Sequence, residues 1–83
     1  MSKRILIVDD EFGLADVVAE ILTDQGYDAA IAINGRLGLA QIAEARPNLV
    51  LLDVMMPVLD GPTTLVTMRS NPEFASIPVI MMT

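Results

Sequence analysis

The sequence predicts an α/β domain built on an open parallel sheet, with helices packed on both faces. Three features point there. Short runs of branched apolar residues, Ile5 to Val8 and Leu49 to Leu52, read as strands buried on both faces, the kind found in parallel sheets. Between such runs lie longer segments whose apolar residues return at helical spacing. The two kinds alternate along the whole chain, beginning and ending on a strand. That alternation gives a parallel sheet with right-handed crossovers.

The first strand is Arg4-Ile5-Leu6-Ile7-Val8, which stops abruptly at Asp9 and Asp10. Leu14, Val17, Val18, Ile21 and Leu22 then mark an amphipathic helix of roughly three and a half turns. Asp10 or Glu11 lies near its first turn, where negative charge suits the helix dipole, and Gly26 closes it. Tyr27 to Ile33 is the second strand, and Asn34-Gly35 reads as a turn. Leu37, Leu39, Ala40, Ile42 and Ala43 carry a second helix that Pro47 stops. Gly38 inside it weakens the helix by up to ~1 kcal/mol. The third strand ends at Asp53. Asp60-Gly61-Pro62 opens a third helix, with proline at a permitted early position, and it runs to Ser70-Asn71-Pro72. Ile77-Pro78 leads into the fourth strand, Val79 to Thr83.

Composition narrows the function. A chain of 83 residues holds one small domain, spanning 1–83, and no linker or repeat divides it. Its apolar residues, 53% of the total, include six Met and few aromatics, so the core is expected to be Val, Ile, Leu, Met and Ala. With no Cys and no His, disulfides, thiolate sites and imidazole chemistry are excluded. Eleven acidic residues against five basic ones give a net charge of −6, which argues against direct nucleic-acid binding. Lys3-Arg4 followed by Ile5 to Val8 is too short an apolar stretch for a signal peptide, and no run reaches the ~18 apolar residues of a membrane span. A soluble cytoplasmic domain is expected.

The chemistry gathers at two strand ends. Asp9 and Asp10 follow the first strand and Asp53 ends the third, where open α/β sheets place their active groups. If these strands are neighbours, three carboxylates meet, and at ~4–6 Å like charges repel unless a cation joins them. Oxygen ligands without His or Cys select a hard ion, Mg²⁺ in a cell. Such an ion also neutralises a phosphoryl group, and a carboxylate can be the nucleophile that accepts one. The plainer reading of Asp9-Asp10-Glu11 is a helix cap. The Asp53 stretch favours metal binding, and leaves Glu11 alone as a capping residue. Met55 and Met56 side chains read as packing, and Asp60-Gly61 as a turn and helix start without chemistry.

These stretches carry a family resemblance. Ile5 through Glu11, Leu51 through Pro57 with Asp60-Gly61, and Ile77 through Thr83 resemble, in order and spacing, the receiver domain of two-component response regulators, the CheY-like fold. The resemblance implies a flavodoxin-like doubly wound sheet in the order 2-1-3-4. It implies that Asp53 is the phosphoacceptor for a sensor histidine kinase or a phosphotransfer protein. Asp9, Asp10, Asp53 and the Met55 backbone carbonyl would then hold Mg²⁺, and Thr83 would be the switch hydroxyl.

Receivers run on past this Thr through a helix, a fifth strand bearing a Lys, and a last helix. The expectation is therefore a receiver truncated to four strands and three helices. Its Val79–Thr83 edge and one uncovered sheet face would favour a homo-oligomer. A competing reading is a structural or oligomerisation module without productive phosphorylation. An aspartyl phosphatase usually has a second Asp two residues after its nucleophile, where this chain has Met55, so an enzyme is not expected. No Gly-rich loop follows the first strand, which excludes a dinucleotide site.

Overall fold

The computed structural model describes residues 2–82. Strands β1 (Arg4–Val8), β2 (Asp28–Ala32), β3 (Leu49–Asp53) and β4 (Val79–Met82) alternate with helices α1 (Phe12–Asp24), α2 (Gly35–Glu44) and α3 (Gly61–Ser70). The strands pair in parallel in the order β2-β1-β3-β4, the flavodoxin-like arrangement expected. Thr83, expected to end the last strand, lies outside the described residues.

The main core forms between one sheet face and two helices. Leu6 and Val8 of β1 and Val50 and Leu52 of β3 meet Ile42 of α2 and Met68 of α3, all of them buried. Side chains alternate along a strand, so Ile5 and Ile7 point to the other face. Ala15 of α1 is fully buried there. In β3 the alternation departs from the expectation of burial on both faces: Val50 and Leu52 are buried, whereas Leu49 and Leu51 are only half-buried. The reason is placement. α1 packs over β2 and β1, and none of α1, α2 or α3 covers β3 and β4 on that side.

Local chemistry sets the helix ends. Gly26, at φ +93°, takes the left-handed conformation that ends α1, and the Tyr27 N–H reaches back to the Leu22 carbonyl at 3.0 Å. Asn34-Gly35 is a helix start and no separate turn: the Asn34 Oδ1 accepts from the Leu37 N–H at 2.9 Å, so α2 opens two residues before Leu37. Gly38 is there for contact, because a Cβ would come within 2.9 Å of a Val8 methyl. Its helix cost secures the close approach of α2 to β1.

Candidate functional site

The β1–β3 register sets Val8 beside Leu52, so the next residues, Asp9 and Asp53, emerge together at the carboxyl end of the sheet. Asp10 completes the group. One carboxylate oxygen from each of Asp9, Asp10 and Asp53 lies within 4.8 Å of the others. Asp9 is buried, at 5% exposure, and its Oδ1 accepts the Glu11 N–H at 2.8 Å. Asp10 is exposed and Asp53 is half-buried. The Asp53 Oδ1 accepts the Met55 N–H at 3.3 Å. Among the described residues the one ion pair, Arg4 with Asp28 at 3.1 Å, stands at the opposite end of the sheet. The donor set is thus all oxygen and strongly negative, which fits a hard divalent cation such as Mg²⁺.

Glu11 departs from the sequence reading. It occupies the N-cap position of α1, and its carbonyl accepts the Ala15 N–H at 3.0 Å, but its carboxylate makes no capping bond. The first helical turn holds no acidic residue at all. The backbone of Glu11 instead orients Asp9, and so it serves the carboxylate group directly.

The loop from Val54 to Asp60 closes over the end of β3. The Val54 N–H donates to the Met82 carbonyl at 3.0 Å, and the Gly61 N–H donates to the Val54 carbonyl at 3.1 Å. Asp60 caps α3, its Oδ1 accepting the Thr63 N–H at 2.8 Å. That backbone hydrogen bond, with a smaller contribution from the Thr63 side chain, holds the Asp60 carboxyl below its ordinary value. Asp60 is therefore the structural acid the sequence suggested. Val54, Met55, Met56, Pro57, Asp60 and Pro62 line a shallow groove beside it. Met56 packs against the core, as expected for a packing side chain, but Met55 is 81% exposed.

Two features escaped the sequence reading. Val58 has φ +70°, and the Leu59 N–H donates to the Pro57 carbonyl at 2.8 Å across it. No signal foretells this, since a β-branched residue disfavours that conformation. Gly61 packs on the Asp53 carbonyl oxygen, where any Cβ would collide. The Asp-Gly pair was legible as a helix start, but the contact depends on where the strand ends.

A model of the response regulator receiver domain matches residues 5–83. The chain belongs to that family. It is 36% identical, over its full length, to the DNA-binding response regulator MtrA of Mycolicibacterium paratuberculosis, of which it spans 36%. Among solved structures, it superposes on the N-terminal domain of a response regulator receiver protein from Methanoculleus marisnigri with a TM-score of 0.94 and 39% identity. That match covers 96% of this chain and 65% of the other. It also superposes on the chemotaxis response regulator CheY4 of Vibrio cholerae, with a TM-score of 0.93 and 31% identity, covering 98% of this chain and 68% of that one. The chain spans about a third of the first curated relatives and about two thirds of these receiver structures. As a receiver it is a signalling module of two-component systems. No helix among the described residues is long and apolar enough to cross a membrane.

Proposed function

We propose that this receiver accepts a phosphoryl group on Asp53 from a phosphohistidine of a sensor histidine kinase or a phosphotransfer protein, in the cytoplasm. The observation that carries the reading is the convergence of Asp9, Asp10 and Asp53 at the ends of adjacent parallel strands. In the transfer, an Asp53 carboxylate oxygen forms the new O–P bond while the N–P bond of the donor breaks. The imidazole leaves with that electron pair and takes its proton from solvent.

Asp9, Asp10, Asp53 and the Met55 carbonyl would hold the Mg²⁺. When bound, the ion offsets the mutual repulsion of the carboxylates and the charge of the incoming phosphoryl group. The protein's own part is positional. The Glu11 N–H turns Asp9, the Met55 N–H turns Asp53, and the capped start of α3 fixes the loop beside them. Self-association through the Val79–Thr83 edge and the open sheet face belongs to the same reading. Ile80, 54% exposed in the middle of β4, supports it.

Mass spectrometry after incubation with acetyl phosphate and Mg²⁺ tests the assignment. A single phosphoryl adduct on Asp53, lost in Asp53→Asn, is expected. An adduct on Asp9, Asp10 or Asp60, or one retained in that variant, overturns it.

A further inference from the structure

We propose that Val58 sets how firmly the loop between β3 and α3 stays closed, and thereby how well the Met55 carbonyl is presented to a divalent cation. The inference rests on the reading above, in which that carbonyl is a metal ligand.

The backbone at Val58 is the starting point. With φ +70° and the Leu59 N–H on the Pro57 carbonyl at 2.8 Å, residues 57–59 form a γ-turn of the positive-φ kind, which is rare and strained. A β-branched residue is poorly suited to it, because its Cβ crowds the backbone. Such a conformation persists only where its surroundings impose it. Here the imposing contacts are few. The Gly61 N–H bonds to the Val54 carbonyl, Asp60 caps α3, and Met56 anchors on the core. Leu59 is half-buried, its carbonyl and Cβ close to Gly35 of α2, but Val58 at the apex is 70% exposed and Met55 81%. Loops with so little buried surface open at small cost.

Two tendencies therefore oppose each other in this segment. The flanking hydrogen bonds close it, while Val58 favours negative φ, which re-aims the chain on either side of the turn. Opening releases Met55, whose N–H otherwise rests on the Asp53 Oδ1 at 3.3 Å. A cation that uses the Met55 carbonyl binds the closed loop, so its apparent affinity scales with the closed fraction. Val58 acts through Met55 and is a positioning residue. A residue that accepts positive φ should close the loop further and tighten the cation.

The test compares the full chain with Val58→Gly, Val58→Asn and Val58→Ala, titrating Mg²⁺ by NMR and following amide exchange at Leu59. Gly and Asn tolerate positive φ, and each should bind Mg²⁺ about threefold more tightly than Val, the gain set by the closed fraction. Exchange at Leu59 should slow in the same two variants. Ala keeps a Cβ at the strained position and should stay near the parent chain. Equal affinities for Val, Gly and Asn overturn the proposal, as does an Ala variant that tightens as much as Gly. If the parent chain shows no saturable Mg²⁺ response, the metal reading fails and this inference falls with it. The Leu59 exchange rates then still report whether Val58 controls closure.

Discussion

Gly61 lies against the carbonyl oxygen of Asp53, joining the start of α3 to the end of the strand that carries the phosphoacceptor candidate. The two are further tied by the Gly61 N–H on the Val54 carbonyl at 3.1 Å. No side chain fits between them, because the first atom of one would strike a backbone oxygen that cannot swing away.

Gly61→Ala should therefore cost about 3 kcal/mol of stability, near the upper end of ordinary overpacking. Urea unfolding with an unchanged slope would measure it. The same variant should shift NMR signals of Asp53 and Val54, since relief of the clash must move one of them. A stability within ~0.5 kcal/mol of the parent, the range of inert surface changes, contradicts the contact.

The Asp60 cap predicts a dependence on pH. Its carboxyl titrates lower in the folded chain than its ordinary value of 3.8, because the ionised form accepts the Thr63 N–H. A depressed folded value means stability present above the unfolded value and lost as pH falls through the folded one. Thermal stability should thus decline below about pH 4 through this group. In Asp60→Asn the amide oxygen still caps α3 but does not titrate, so that component of the decline should vanish. Identical acid profiles for both chains speak against the cap as its source.

The carboxylate group predicts a response to Mg²⁺. Titration should move NMR signals of Asp9, Asp10, Asp53 and Met55 and raise the melting temperature, because an ion held only by the folded arrangement would stabilise it. Binding should be weak, since Mg²⁺ gives up its waters reluctantly. Asp10→Asn should remove most of the response. A variant as responsive as the parent chain shows that the ion, if bound, sits elsewhere.

Much of this was legible in the sequence because the relevant signals are local. Ile5 to Val8 and Leu49 to Leu52 read as strands from their branched apolar residues, although Leu49 and Leu51 are only half-buried, and the carboxylates directly after them fall at the strand ends. The strand order brought them together, and that came from resemblance and not from periodicity. What stayed hidden depended on tertiary geometry. Asn34 resembles a turn residue until its Oδ1 is found on the Leu37 N–H, since caps and turns favour the same side chains. Glu11 has the composition of a cap, yet only its backbone is used. Val58 gives no hint of positive φ, because the closure of the surrounding loop overrides its own preference.

The open side of the sheet yields the last prediction. Leu14, Val17 and Ile21 line one stripe of α1 and are each more than half exposed, as is Ile80 of β4; Leu49 and Leu51 of β3, the latter paired with Ile80, are half-buried. Each ~100 Å² of such surface withdrawn from water contributes about 2.5 kcal/mol, so pairing of two copies on this side would draw on that burial. Charge opposes it. Asp16, Glu20 and Asp24 form an acidic stripe beside the apolar one, and each copy carries a net −6. The two effects separate with salt, which screens the repulsion between exposed charges and leaves apolar burial intact. Sedimentation equilibrium of the 83-residue chain should show association that rises with concentration and strengthens between low and high ionic strength. Leu14→Ser with Ile21→Ser should weaken it without unfolding the chain, since both side chains are exposed. A monomer at tens of micromolar in both salts would overturn the association, and association unchanged by the paired serines would place it on another face.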